Sequence, residues 1–483
     1  MKSLIHTIQR QYDNQDYESA LGNISTFLKF ADSDFLNRDS IQMVPFFDKI
    51  CDLIGKDLTS NYTLKAPINN NINVYLATEL YPTGGHTICL QNFIEAAPEK
   101  KHIIFLTFQP KSAKILDALQ KFRFHQKNVS IIQYPHSDKK LVTRVEWLMS
   151  ELININPGRC FLFNHPFDCS IIAAVQSKIV NEVYLYHHAN ASPNLGLSLE
   201  HINVITIHEF EYHTLLKKIK DQNRLSLIPL SYKLPNAKHQ FSADTGQTIV
   251  SASSVSSAYK LKLPYQFAFE DYVVKLLEKT RGVHVLIGEF NEELKQTILK
   301  KIAVFGLTDK HLIHLKWVPS LRDALQGLNV NLYLSTFPAS GGLTLVEAMS
   351  IGLPIIFHSS YCNPRGAMHD MVYPEAMVWR DESDFDQILD QLSPDNLAKH
   401  HAFSLNHFNR FHSVAQLSAY LSESPIKGKA INLSELELRV HHSYQHDELR
   451  SYIDQLETRK INISTHMSFR SRLIRKIKRL FTK

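Results

Sequence analysis

What the chain lacks narrows its class first. No stretch of the 483 residues approaches the ~18 consecutive apolar residues of a membrane-spanning helix. The opening MKSLIHTIQRQYDNQDYES has no apolar core of the kind a secretory leader carries, so a cytoplasmic location is expected. Cysteine is sparse: Cys51, Cys89, Cys160, Cys169 and Cys362 are odd in number and form no C-x-x-C pair. That speaks against a disulfide scaffold or a zinc site and suits a reducing compartment. Histidine is plentiful at 25, yet no H-E-x-x-H or related spacing occurs, and no metal is expected. Asp32-Ser33-Asp34 and Asp384-Phe385-Asp386 have Asp-x-Asp spacing, but their polar, helix-like surroundings read as solvated faces. Short internal repeats and low-complexity tracts are absent too.

What is present is an ordinary globular composition, 44% apolar and 21% charged, in a chain too long for one core. The net charge of +6 is placed unevenly. The last sixteen residues, SFRSRLIRKIKRLFTK, hold seven Lys/Arg and no acid; taking those seven from +6 leaves the rest at −1. Phe469, Leu473, Ile477 and Leu480 fall on one helical face of this tail, with basic residues over most of the remainder. Such a helix lies in an anionic membrane interface, so residues 468–483 predict peripheral attachment to the inner face of a membrane. Nothing else resembles a nucleic-acid module, and no nucleic-acid partner is expected.

Residues 1–66 have helical spacing. From Val74 the pattern changes to short apolar runs separated by helical stretches: HIIFLTF, VSIIQY, RCFLFN, EVYLYHH, NVITIH and LSLIPL. After a polar, turn-rich segment at 231–247 the alternation restarts with TIVSAS, VHVLIG, LIHLKW, VNLYLS, LPIIFH and AMVW. Short apolar strands spaced by helices predict parallel sheets covered on both faces. The expected fold is therefore α/β, with two Rossmann-like domains, 67–235 and 236–427, facing a central cleft. A helical N-terminal region (1–66) and a helical C-terminal region with the basic tail (428–483) flank them. Ligands of such sheets sit beyond the carboxyl ends of the strands.

Five segments fall at those carboxyl ends. FPASGGLTLVEAMSIGLPIIF (337–357) places Gly341-Gly342 at the start of a helix whose free N–H groups suit a diphosphate, with Glu347 within reach of a sugar hydroxyl. ATELYPTGGHT (77–87) puts Gly84, Gly85 and His86 after the first strand. YLYHHANASPNLG (184–196) ends a strand on His187-His188; strand alternation lets one of the two face the cleft, and spacing does not say which. NHPFD (164–168) offers His165 and Asp168 to the same side, and SASSVSSAYKLKLP (251–264) offers Lys260, with Lys262 as a competing choice.

GGLTLVEAMSIGLPIIF resembles the nucleotide-sugar signature of GT-B glycosyltransferases, in particular the large retaining group that includes glycogen and sucrose synthases. The YKLKLP context is similar to the lysine region of O-GlcNAc-transferase-like enzymes. The resemblance implies transfer of a sugar, without a cofactor, from a UDP- or GDP-linked donor to a glycan or lipid-linked glycan in surface-polysaccharide synthesis. It implies a donor site of Lys260, Ser340, Gly341, Gly342, Leu343, Thr344 and Glu347, the last on the ribose. His188, or its neighbour His187, is the implied catalytic group, and Gly84, Gly85, His86 and His165 line the acceptor side. The family's second glutamate, eight positions before Glu347, is Ala339 here, which leaves retaining or inverting stereochemistry open. A protein-directed transferase, a nucleotide-sugar epimerase and an inactive homologue serving as a partner subunit share enough of this pattern to stand as alternatives.

Overall fold

A computed structural model describes residues 2–33, 42–60, 62, 67–81, 85–108, 124, 126–136, 140–188, 192–233, 248–256, 258–261, 265–359 and 368–426. Gly84, Lys262, the region from 427 onward and with it the basic tail lie outside these residues.

Among the described residues thirteen strands form two parallel sheets. The first contains β1 (Asn69–Ala77), β2 (Lys101–Leu106), β3 (Val129–Gln133), β4 (Pro157–Phe163), β5 (Glu182–His187), β6 (Ile202–Thr206) and β7 (Leu225–Leu227), in the order β3-β2-β1-β4-β5-β6-β7. The second contains β8 (Val250–Val255), β9 (Val283–Gly288), β10 (Leu312–Leu315), β11 (Leu332–Leu334), β12 (Ile355–His358) and β13 (Met377–Trp379), ordered β10-β9-β8-β11-β12-β13. Each order reverses beside its first strand, at β1/β4 and at β8/β11. Those switch points open crevices beyond the strand ends.

Alternation along the first sheet separates two kinds of side chain. Val74, Leu76, Cys160, Leu162, Val183 and Leu185 point to one face, and Tyr75, Phe161, Phe163, Tyr184 and Tyr186 to the other. The aliphatic face is covered by the helical N-terminal region. Helices Lys2–Asp13, Tyr17–Ser33 and Pro45–Thr59 bury Ile8, Leu21, Leu28, Phe47, Ile50 and Ile54 against it. The aromatic face packs on helix Gly85–Glu95, where Phe93 meets Phe161, Phe163 and Tyr186 edge-on at 5.2–5.4 Å. Both faces of this sheet are dry, as parallel strands require.

One contact locks the N-terminal layer to its neighbour. Helix Leu141–Ile155 begins at Lys140, which supplies no side-chain cap, and Glu18 replaces it. The Leu141 and Val142 amides donate to the two Glu18 carboxylate oxygens, each at 2.9 Å. Glu18→Ala therefore lowers stability by about 1 kcal/mol, the usual value of a cap, read as a fall in urea midpoint at unchanged slope.

Among the described residues the halves are joined twice. The chain passes forward through Leu230–Lys233, and helix Val414–Ser422 returns to the first half. There Arg159 donates to the Leu421 and Glu423 carbonyls (2.5 and 2.7 Å), and the Ile426 amide donates to the Tyr184 hydroxyl (3.3 Å). The two crossings run side by side: the Tyr232 amide donates to the His412 carbonyl at 2.7 Å, and Tyr232 and Ser413 form a parallel bridge. Beneath the cleft a single apolar cluster includes Leu230 and Tyr186 from one half and Leu343, Val346 and Met371 from the other.

Candidate functional site

The donor-side turn is built between β11 and helix Gly342–Met349. Ser335 and Ser340 hydroxyls lie 2.8 Å apart, the Thr336 hydroxyl donates to the Ala339 carbonyl at 3.4 Å, and Thr344 closes back on the Gly341 carbonyl at 2.7 Å. The helix starts at Gly341 with no side-chain cap, which leaves its N-terminal amides to meet an anion. Lys260, on the short helix Ala258–Leu261 after β8, donates to the Ser340 carbonyl at 3.4 Å. A cation and a helix N-terminus thus converge on one turn.

The diglycine also serves the protein's own packing. A Cβ on Gly342 would meet Leu230 Cδ1 at 3.0 Å and Met368 Sδ at 3.4 Å, and one on Gly341 would meet Thr344 Oγ1 at 2.9 Å. The missing side chains make room for the protein's own packing, including a leucine from the opposite half.

Glu347 is 5% exposed. Its Oε2 accepts from the Arg322 amide at 3.4 Å, near the start of helix Leu321–Gly327, and its charge acts on the Tyr232 phenol. Arg322 also donates to the Lys233 carbonyl (2.9 Å) and lies over the Tyr232 ring at 5.3 Å. Burial, then the charge of Glu347, raises the Tyr232 phenol well above its usual range, so it is a hydrogen-bond donor at any working pH. Neither Tyr232 nor Arg322 is visible in the sequence as a site residue. Tyr232 lies in what reads as a polar linker, and Arg322 follows no motif.

On the acceptor side the structure brings three histidines together. The His86 and His188 ring centroids are 4.5 Å apart, and His165 is 6.3 Å from His86. Gly85 faces the second half directly: a Cβ there would lie 3.7 Å from Leu343 Cδ2. His86 Nε2 is 2.7 Å from the Phe163 carbonyl and His188 Nδ1 is 3.1 Å from the Tyr186 carbonyl. A carbonyl only accepts, so those nitrogens carry the protons, and the lone pairs fall on His86 Nδ1 and His188 Nε2. Burial holds His86 down to about 4, and burial together with His86 holds His188 well below the usual histidine range. Both rings are neutral at physiological pH. Burial also lowers His165, whose Nε2 is 3.3 Å from the Tyr81 hydroxyl, with the two rings stacked at 9°.

His187 goes the other way. It is 1% exposed on the aliphatic face, with Nδ1 3.0 Å from Glu211 Oε1, and Glu211 also accepts from Gln42 at 3.0 Å. Of the two adjacent histidines, His188 is the one grouped with His86. Asp168 is likewise occupied: it accepts from Thr78 (2.7 Å), Thr107 (2.6 Å) and the Ser170 hydroxyl (2.5 Å), tying β1 and β2 to helix Cys169–Ala174.

Among the described residues no group of three His, Cys, Asp or Glu side chains is placed to hold a metal ion, and no helix is long and apolar enough to cross a membrane. Of the Asp-x-Asp segments, Asp386 pairs with Lys275 at 2.9 Å on the surface of helix Glu382–Asp390.

No protein-family profile and no curated protein sequence matches the chain. Solved structures do. Anabaena HepE, in complex with UDP and glucose, superposes with a TM-score of 0.51 at 13% identity, over 74% of this chain and 99% of that one. The lipopolysaccharide outer core galactosyltransferase WaaB gives 0.51 at 14% identity over 73% and 100%. TarM gives 0.52 at 12% identity over 73% and 98%. Each of these proteins is matched over nearly its whole length. Two parallel sheets, each reversing beside its first strand, and the likeness to these structures over about three quarters of the chain give it the GT-B fold.

Proposed function

We propose that this protein is a glycosyltransferase that moves a sugar from a nucleotide-sugar donor to a glycan, lipid-linked, in surface-polysaccharide synthesis. The observation that carries the reading is the convergence of Lys260 and the uncapped helix Gly342–Met349 on one turn, opposite the neutral His86–His188 pair. The second half takes the donor. Lys260 and the helix N-terminus meet the charge that develops on the leaving diphosphate, and Glu347, beside Tyr232, takes the ribose. His188 presents an Nε2 lone pair to a hydroxyl of the donor sugar or accepts the acceptor proton. Closure of the halves excludes water that would otherwise hydrolyse the donor. The basic tail places the enzyme on the inner, anionic face of a membrane.

The test is a thermal-shift screen against UDP- and GDP-sugars. The HepE structure holds UDP, which makes UDP the first probe. A bound nucleotide at ~100 times its Kd adds about 2.7 kcal/mol of stability. Lys260→Ala is expected to weaken UDP binding about tenfold, the scale of one charge-assisted contact. If no nucleotide sugar raises the melting temperature, the reading falls. Ala339, where the family places a glutamate, favours a second reading in which the protein binds donor without transferring it. Transfer assays on candidate acceptors separate the two.

A further inference from the structure

Outside the donor turn and the histidine group, one buried ionisable pair joins the two halves. His208 follows β6 of the first half, with Nδ1 3.1 Å from Asp370 Oδ1, and the Glu209 amide donates to Asp370 Oδ2 at 2.5 Å. Asp370 belongs to the second half, on the single-turn helix His369–Met371. Both side chains are almost dry, at 5% and 6% exposure. The same turn carries the donor helix: Met368 and Met371 lie 3.4 and 3.8 Å from where a Gly342 Cβ would stand. One carboxylate therefore connects the end of an acceptor-half strand to the floor of the donor turn.

We propose that Asp370 and His208 form a charged latch that holds the halves together and positions the donor turn, so that donor affinity depends on the charge of His208. The latch stands on the geometry alone; its effect on donor affinity rests on the function proposed above.

The physical asymmetry is the argument. A buried ion pair contributes little net stability when both charges are present, but removing one partner leaves the other buried and uncompensated. With His208 neutral, the closed arrangement retains Asp370 as an unmatched charge, which separation of the halves would return to water. Other groups face the pair. Glu211 reinforces the His208 charge and is itself shared with His187; Glu209 lies 3.5 Å from His213; His412 feels Asp370 while bonded to the Leu230 carbonyl. Burial alone lowers His208, but the charge and hydrogen bond of Asp370, with Glu211, outweigh it and raise it above its ordinary value. Burial alone raises Asp370, and the charge and hydrogen bond of His208 bring it below its ordinary value. A raised histidine contributes fully below its unfolded value and stops contributing as pH rises through the folded one. A depressed carboxylate contributes above its unfolded value and is lost in acid. The latch is thus engaged from above the usual aspartate range to beyond the usual histidine value, and it weakens on the alkaline side.

The test uses the full chain, with small-angle scattering for the separation of the halves and calorimetry with UDP for the donor turn. The wild type is expected to be more compact at about pH 6 than at about pH 9, values that bracket the ordinary histidine range. Asp370→Asn is expected to be expanded at both and to lose the pH response, which the neighbouring histidines would preserve if they caused it. Its UDP Kd at the lower pH is expected to rise about tenfold, the value of a hydrogen bond to a charged group. His208→Gln, which keeps a donor without the charge, should resemble the wild type at high pH. Should Asp370→Asn not fold, the wild-type pH series and His208→Gln decide the matter. Dimensions and UDP affinity that are the same in all three proteins at both pH values overturn the latch. A pH-dependent expansion of the wild type, with Asp370→Asn expanded at both pH values and no UDP binding by any of them, leaves the latch standing and removes the donor reading instead.

Discussion

Replacing Asp168 with alanine is expected to lower the unfolding free energy by about 3–5 kcal/mol, the scale for removing one member of a buried charged network. The carboxylate accepts from Thr78, Thr107 and Ser170, and the Thr78 hydroxyl in turn accepts from the His165 amide at 2.9 Å. Alanine would strand three hydroxyls, two just past the carboxyl ends of β1 and β2 and one at the start of helix Cys169–Ala174. Burial alone raises Asp168, but Ser170, Thr107, Arg144 and Thr78 together bring it below the usual carboxylate range. Its contribution is therefore complete above about pH 3.9, the ordinary aspartate value, and is lost as pH falls through the depressed one. Urea midpoints of wild type and Asp168→Asn should converge in strong acid and stand apart at neutrality. Equal midpoints at neutral pH would contradict this account and return Asp168 to the cleft as a ligand-facing acid.

His188→Ala is expected to lower sugar transfer by about 10²–10⁴-fold, the contribution of a positioned acid–base group, while UDP affinity stays near that of the wild type. His187→Ala should separate cleanly from it. That side chain is buried beside Glu211, so its removal is expected to reduce stability and leave the chemistry intact. Because burial and His86 hold His188 well below the ordinary histidine value, its lone pair persists through neutrality, and the acid limb of the pH–rate profile should lie below about pH 6.5. Transfer that survives His188→Ala at the wild-type rate removes the residue from the reaction.

The strands were legible because each apolar run is short and bounded by turns, and every run named from the sequence contains a strand. Which face of a strand meets the cleft was not legible, and the reason is physical. In a half-solvated sheet the polar positions mark the outside, but here the N-terminal helices cover the outer face. Alternation therefore showed that His187 and His188 diverge without showing which points inward. Asp168 stood in a strand-end motif and looked like a ligand group, but it fastens neighbouring strand ends. Tyr232 was hidden in a linker because its role depends on Glu347, 115 positions away, and no local pattern records such a pairing. The diglycine was legible as a close approach, but not as an approach by Leu230.

The paired crossings between the halves, with Tyr232 and Ser413 bridged, have a mechanical consequence. A single connecting strand is a swivel: it lets one body twist, slide and tilt on the other. Two strands of backbone fastened side by side resist sliding and twisting, and they leave rotation about the line of the joint as the compliant direction. The cleft of this protein should therefore open and shut as a book does about its spine, with Gly85 and Leu343 on the facing pages returning to the same register at every closure.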